Sequence, residues 1–491
     1  MSENDDSRIP VVVGVGQAIE REKSVDAVEM TVRAARAALE DAPGLADQIQ
    51  RLSMVAVSFS PSSAAPATEA AQRLGLRDLR TEVTTPGGNT PQWLVTRAAA
   101  EIAAGQLETT LILGGEATRS VRARDPQASH FAAPAEGRDG EAADPVVGVD
   151  LQPAPAEMQA KLYEPAEVYP MLESARAHAA GRSNAEQRAF LAPLMARFSE
   201  VAASNPFAWF RQKRSPEEIA NPTADNRLTA EPYTKRMNSF PFVDLGSAVL
   251  VTTLERARAA GLEDRCVFAW SGATNSEPAP AARPRPGDSP AAGAAAQAAF
   301  SAAGIGIDDV GHIDIYSCFP VAVEAAAEGL GIALDDPRGL TVTGGLPFFG
   351  GPGNNYSGHA IATLIERLRE SDALGLVSAN GGYLSKHSIG IYGTRPPAEG
   401  FKAANTSKEQ AEIDAAALPV SLDGQGSATV DASTVVYGRD GEVKRAPIFA
   451  RLSGGERVVV DADPNLLSDL TGVSLVGQRV SIGGADRRYR T

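Results

Sequence analysis

The chain is poor in cysteine and aromatic residues. Only Cys266 and Cys318 occur in 491 residues, too few for a disulfide framework or a cysteine-rich zinc or iron–sulfur site. Aromatics make up 5% of the sequence, so each tyrosine set into a glycine-rich loop stands out. No apolar run approaches the roughly 20 residues that cross a bilayer. MSENDDSRIP lacks a positive stretch followed by an apolar one, so no secretory leader is expected, and a reducing cytoplasm is the expected compartment. Positive charge is in deficit: the formal net charge is −15, against a nucleic-acid or anionic-membrane surface, since both need clustered Lys and Arg. Of the five histidines, His130, His178 and His312 show no metal-ligand spacing, and no metal site is expected.

What is present is an alternation of strand and helix. IPVVVGVGQ (9–17) is a continuous apolar run ending in glycines, as in a strand buried on both faces, and SVDAVEMTVRAARAALEDAPG repeats apolar residues at helical spacing. LSMVAVSFS predicts a further strand and TEAAQRLGL a short helix. TTPGGNTPQWLVTRAAAEIAAG (84–105) then reads as a turn with two glycines feeding a helix. Such an elbow offers unpaired backbone N–H groups at the helix start, yet presents Gly87, Gly88 and Asn89. Residues 120–240 break the rhythm: DPQASHFAAPAEGRDGEAADPVVG reads as an exposed loop, and the rest as an inserted, mostly helical subdomain. A second strand–helix series starts at CVFAWSGAT, which suggests an internal duplication. FKAANTSKEQAEIDAAALP (401–419) suits a linker, and the short alternating strands beyond it predict a small β-barrel or sandwich.

The stretches AAAEIAAGQLETTLILGGEATRS, FVDLGSAVLVTTLERARAAG, IDIYSCFPVAVEAAAEGLGI, GGPGNNYSGHAIATLIERL and SANGGYLSKHSIGIYG together resemble the thiolase superfamily. The likeness is to thiolase-like proteins of type 1, related to sterol-carrier-type thiolases and labelled acetyl-CoA acetyltransferases. It implies an α/β fold of two duplicated halves in α/β/α/β/α layers, with an inserted loop subdomain and a C-terminal OB-like barrel. The expected boundaries are 1–265 for the first half, including the insert at about 120–240, then 266–405 and 412–491. The resemblance also implies coenzyme A or an acyl-CoA as ligand. Thiolases dimerise across a strand near the elbow; with a full extra domain, a monomer is expected here.

A thiolase uses an elbow cysteine as nucleophile, a histidine to activate it and a second cysteine to move the substrate α-proton. Those positions fall on Gly88, Pro352 and Ala379. The remaining catalytic loop reads Tyr316-Ser317-Cys318-Phe319, and no cysteine occurs in residues 1–265, which is decisive against the standard acyl-enzyme mechanism. The replacement candidates on the same loops are Tyr316, Tyr356, His359 and His387 as acids or bases. Gly88, Asn89, Cys318, Asn354, Asn355, Asn380 and Gly381 are candidate substrate contacts. Each has a plainer explanation: Asn in glycine-rich turns tolerates positive φ, the tyrosines fill space, and Cys318 beside Phe319 is a small buried thiol. Arg211, Lys213 and Arg214 would suit the coenzyme A 3′-phosphate, or form a solvated helix end. Three readings follow: acyl-CoA binding with non-covalent carbon–carbon chemistry of a retro-aldol kind, a non-catalytic acyl-CoA or lipid binder or scaffold, or, as the family label has it, an acetyl-CoA acetyltransferase, against which the missing elbow cysteine stands.

Overall fold

The computed structural model describes residues 5–128, 142–149, 154–484 and 486–490. His130 and most of the expected loop at 125–148 lie outside the described residues.

The buried strand expected at 9–17 runs from Pro10 to Ile19 and pairs antiparallel with Asp244–Thr253. That strand pairs antiparallel with Thr109–Ala117, which pairs in parallel with Arg51–Met54, and Arg51–Met54 in parallel with Arg80–Thr84. The second series repeats this order: Val267–Ser276 is antiparallel to Lys386–Gly393, which is antiparallel to Leu374–Gly381, which is parallel to Val310–Ile315. The halves join where Val11 and Val12 pair with Phe268 and Val267. Same order and same directions make this a duplicated fold.

Two helices, Thr90–Ala103 and Tyr356–Arg369, each touch strands of both halves and so form a middle layer. Glycine permits the approach: a Cβ on Gly390 would fall within 2.5 Å of the Gln92 side chain. Ala27–Asp41 covers the outer face of the first sheet; its start is capped by Asp26, whose carboxylate accepts from the Glu29 N–H at 2.6 Å. Pro290–Ala303 and Pro320–Leu330 cover the second sheet, completing five layers.

The inserted region is helical over Pro165–Ala179 and Asn184–Ser204, and its Tyr169, Met171, Leu191 and Phe198 merge with the main core. The C-terminal strands run in the spatial order Arg457–Val460, Ile448–Leu452, Gly426–Ser433, Arg479–Gly483, Arg488–Arg490. The ends meet through an Ala462–Tyr489 bridge, closing a barrel around Val430, Ile448, Val458 and Tyr489. The barrel is not a loose appendage. Val436 pairs with Ala230 of the insert, and buried Arg457 donates to the carbonyls of Ala281, Arg283 and Pro284 as well as to Asp431. The linker expected at 401–419 carries a short strand, Lys402–Ala403, on the second sheet and a helix over Ser407–Ala415. Its polar composition reflects the surface position of that helix, which buries no residue.

The open edge of the first sheet is covered in cis. Val146–Val147 adds a parallel strand to Val83 and Thr84, with 2.8 Å bonds from Val83 N–H to the Pro145 carbonyl and from Thr85 N–H to that of Val147. Buried Asp144 anchors this strap by accepting from the Ala67 N–H (2.7 Å) and the Thr68 hydroxyl (2.6 Å). An unpaired edge is a template for association. Here it is occupied next to the elbow.

Candidate functional site

The elbow joins the edge strand to the middle-layer helix, and both the Thr90 N–H and its hydroxyl bond the Gly87 carbonyl, at 3.0 and 2.7 Å. Three other loops clamp it. Asn354 Oδ1 accepts from the Gly87 N–H at 2.9 Å, while Asn354 Nδ2 donates to the Ala56 carbonyl (2.9 Å) and Ser58 Oγ (2.7 Å). The Ser357 hydroxyl donates to the Gly88 carbonyl at 2.7 Å. Gly381 lies so close that a Cβ there would sit 2.5 Å from Asn89 Oδ1 and 3.0 Å from the Gly88 nitrogen.

Gly88 is hemmed in on two sides. A Cβ at this position would overlap the Tyr316 hydroxyl and stand 2.5 Å from the Asn380 carbonyl oxygen. Tyr316 therefore fills the volume a residue-88 side chain would take. Its ring meets Tyr356 edge-on at 5.3 Å, and its hydroxyl makes no hydrogen bond to the described residues. Tyr356 is fully buried instead, donating to Asp314 Oδ1 at 3.1 Å and lying 2.5 Å from Thr343 Oγ1. Burial pushes both phenols well above their ordinary range, with the Asp314 carboxyl adding to the effect at Tyr356. Both stay protonated at neutral pH: they can donate a hydrogen bond but are poor bases.

Cys318 is buried, with Asn380 Nδ2 at 3.9 Å, and burial pushes its thiol up to about 12, so no thiolate is available. Phe319 stacks on Tyr169 at 4.5 Å. The Tyr169 hydroxyl donates to the Gly382 carbonyl (2.8 Å) and accepts from Asn380 Nδ2 (3.0 Å) and the Leu384 N–H (2.9 Å). This arrangement leaves Asn380 Oδ1 buried without a partner, and Asn89 Oδ1 is in the same condition on the elbow side. Two unpaired buried acceptors flanking a free phenol invite a ligand that brings N–H groups.

The remaining expected residues are turned elsewhere. His359 bonds Gln17 Oε1 through Nδ1 at 2.9 Å, packs on Phe349, and burial pushes it down to about 3. His387 lies 2.9 Å from Ser289 Oγ, and burial, helped by the Arg283 charge, also takes it to about 3. Both rings are neutral pieces of the core. Asn355 is held against Ser247 at 3.0 Å, behind the elbow loop. Among the three cations, Lys213 pairs with Glu200, Arg214 pairs with Glu218 at 3.0 Å, and Arg211 is exposed. No group of three or more His, Cys, Asp or Glu that could hold a metal ion occurs among the described residues.

Sequence reasoning missed Glu116. It ends the buried strand Thr109–Ala117 and is 1% exposed; Oε1 accepts from the Ser58 (2.8 Å) and Phe59 (3.0 Å) N–H groups, while Oε2 has no partner. A Cβ on Gly353 would stand 2.6 Å from Oε1, so the carboxyl lies directly beneath the loop that carries Asn354. Burial, partly opposed by the hydrogen bonds, pushes it up to about 7. The signal was a carboxylate in the otherwise apolar run LILGGEA. A folded-state pKa above the unfolded one gives stability that is complete below about pH 4.5 and lost as pH rises through 7. Glu116→Gln, freed of this loss, is expected to gain about 2–3 kcal/mol over wild type at pH 8 compared with pH 5, read by urea unfolding at both pH values.

The duplicated sheets, the elbow at the start of a middle-layer helix and the four converging loops define a member of the thiolase superfamily. Two solved structures share the fold. The dimeric peroxisomal thiolase of Saccharomyces cerevisiae is 15% identical, covers 80% of this chain and 99% of its own, and gives a TM-score of 0.58. The Ltp2–ChsH2(DUF35) aldolase is 20% identical, with coverages of 78% and 97% and a TM-score of 0.62. The structure of a monomeric SCP2-thiolase-like protein type 1 from Mycobacterium smegmatis is 34% identical over 99% of both chains, with a TM-score of 0.84. The chain belongs to the type 1 SCP2-thiolase-like proteins. No protein-family model matches it, and none of the curated proteins does.

Proposed function

We propose that the chain binds an acyl thioester of coenzyme A at the elbow and forms no acyl-enzyme. The observation that carries this reading is Tyr316, whose unpartnered hydroxyl stands where the side chain of residue 88 would be, at the start of the middle-layer helix. A phenol held protonated there donates to a thioester carbonyl, and the helix N-terminus favours the same oxygen. The pantetheine arm carries two amide N–H groups, and the buried Oδ1 atoms of Asn89 and Asn380 are acceptors in need of such donors. Retro-aldol chemistry with tyrosine as base is disfavoured, because burial keeps both phenols protonated. Binding is the reading that the donors and acceptors support.

The reading includes a cytoplasmic monomer. The strap over the Arg80–Thr84 edge supports the monomeric part, in line with the monomeric relative; no helix among the described residues is long and apolar enough to cross a membrane.

Isothermal titration with coenzyme A, acetyl-CoA and a long-chain acyl-CoA is the test. Binding of at least one acyl-CoA is expected, weakened about tenfold by Asn380→Ala, the equivalent of about 1.4 kcal/mol. Absence of heat with all three at millimolar concentration would remove the reading.

A further inference from the structure

Glu116 makes no direct contact with the elbow, yet an unbroken run of hydrogen bonds joins the two. Its Oε1 accepts from the Ser58 N–H at 2.8 Å, the Ser58 hydroxyl oxygen accepts from Asn354 Nδ2 at 2.7 Å, and Asn354 Oδ1 accepts from the Gly87 N–H at 2.9 Å. Three short bonds therefore place the carboxyl one loop away from the elbow turn. The fit is close: Gly353 takes a φ of +53°, and a Cβ there would stand 2.6 Å from Glu116 Oε1 and 2.9 Å from the Phe59 ring.

The surroundings do not offset a charge. Ser58, Phe59, Ser60 and Gly353 from the loops, and Leu245 from the paired strand, are neutral. The Ala27–Asp41 helix presents Ala27 and Thr31 to the neighbouring Gly115. Asp244, the only charged residue of the paired strand, is taken up by the Ser120 hydroxyl at 2.6 Å and by Arg119 at 3.2 Å. Glu116 Oε2 has no hydrogen-bond partner among the described residues. The field of a carboxylate here reaches the elbow through a dry interior. Burial, opposed by the Ser60 hydroxyl and the loop N–H groups, puts the change of charge at about pH 7.

We infer that Glu116 sets the affinity of the elbow, which binds an acyl-CoA more tightly while this carboxyl is neutral than once it is ionised. The inference rests on the elbow reading. Its sign follows from charge: the thioester oxygen at the helix start is partly negative, and a carboxylate beneath the loop that clamps the elbow opposes it. A ligand that closes the elbow also removes water that would screen the carboxylate. At an effective dielectric of about 20, a full charge roughly 8 Å from half a charge changes affinity about fivefold. By linkage, binding raises the pH at which Glu116 ionises.

The test is isothermal titration of one acyl-CoA into the full chain at about pH 6 and about pH 8.5. In Glu116→Gln only the other groups, the ligand's phosphates among them, still titrate. The wild-type dissociation constant should rise about three- to fivefold more than that of Glu116→Gln between these pH values. A second readout needs no variant: titration at about pH 7.5 in two buffers of different ionisation enthalpy should show uptake of a fraction of a proton on binding. The same pH dependence in wild type and Glu116→Gln, or proton release on binding, would overturn the inference and leave the elbow reading standing. Absence of binding by either protein at either pH would remove both.

Discussion

Replacing Gly88 by alanine is expected to cost about 2–3 kcal/mol of stability, the upper range for forcing atoms into a packed interior. The added methyl would overlap the Tyr316 hydroxyl and press on the Asn380 carbonyl. The first neighbour is the end of a side chain that packs against Tyr356; the second is backbone in the strand Leu374–Gly381, where yielding is harder. A double-mutant cycle with Tyr316→Ala separates the two, with Gly88→Ala costing less in the truncated background by the share due to the phenol. Urea unfolding midpoints give each value. A neutral Gly88→Ala would mean that residue 316 does not occupy the elbow. Gly88→Cys should bring the same destabilisation and no thiolase activity, since a thiol built there has no space in which to be acylated.

Arg457→Met is expected to be the most damaging single change, at about 3–5 kcal/mol, because it takes a buried donor from three backbone carbonyls and from Asp431, which keeps only the half-exposed Arg451. Arg457 has no exposed side-chain surface; it donates to Asp431 at 2.8 Å and ties the barrel to the carbonyls at 281, 283 and 284. Loss of these bonds should free the barrel from the thiolase halves before the halves themselves unfold. Limited proteolysis reports this as new cleavage between about residues 400 and 425, with the fragment 426–491 released. Unchanged protease resistance in Arg457→Met would show that the other contacts, the Val436–Ala230 pairing, the Thr434 bond to the Glu231 carbonyl and the Arg445–Glu167 ion pair among them, hold the barrel without it.

The main architecture was legible because its signals are local. IPVVVGVGQ is a strand buried on both faces, SANGGYLSKHSIGIYG is a hairpin, and the elbow follows from two glycines before a helical repeat. The absence of a cysteine from the elbow was equally plain, since none precedes Cys266. Contacts between distant segments were not legible. That Tyr316 fills the space beside Gly88 depends on how the two halves are set across the middle helices, which no spacing in the sequence encodes. The strap at 144–149 pairs through only two valines in a Pro- and Ala-rich stretch, too few for an alternating pattern. His359 and His387 are at the expected loops, but their side chains meet Gln17 and Ser289, and one residue of strand or helix phase decides that direction. Charge was the least legible property: Glu116 is a buried carboxyl without a countercharge, and the residues that enclose it lie in separate segments that only folding brings together.

The central claim is that this thiolase fold holds a thioester beside a glycine and a protonated phenol, with no group to accept the acyl chain. Intact-mass spectrometry of the full chain, after incubation with acetyl-CoA and acetoacetyl-CoA and an acid quench, tests it most directly. The account predicts the unmodified mass at every time point. A stoichiometric gain of one acetyl group, mapped to any residue of the elbow or the three loops that clamp it, would contradict it.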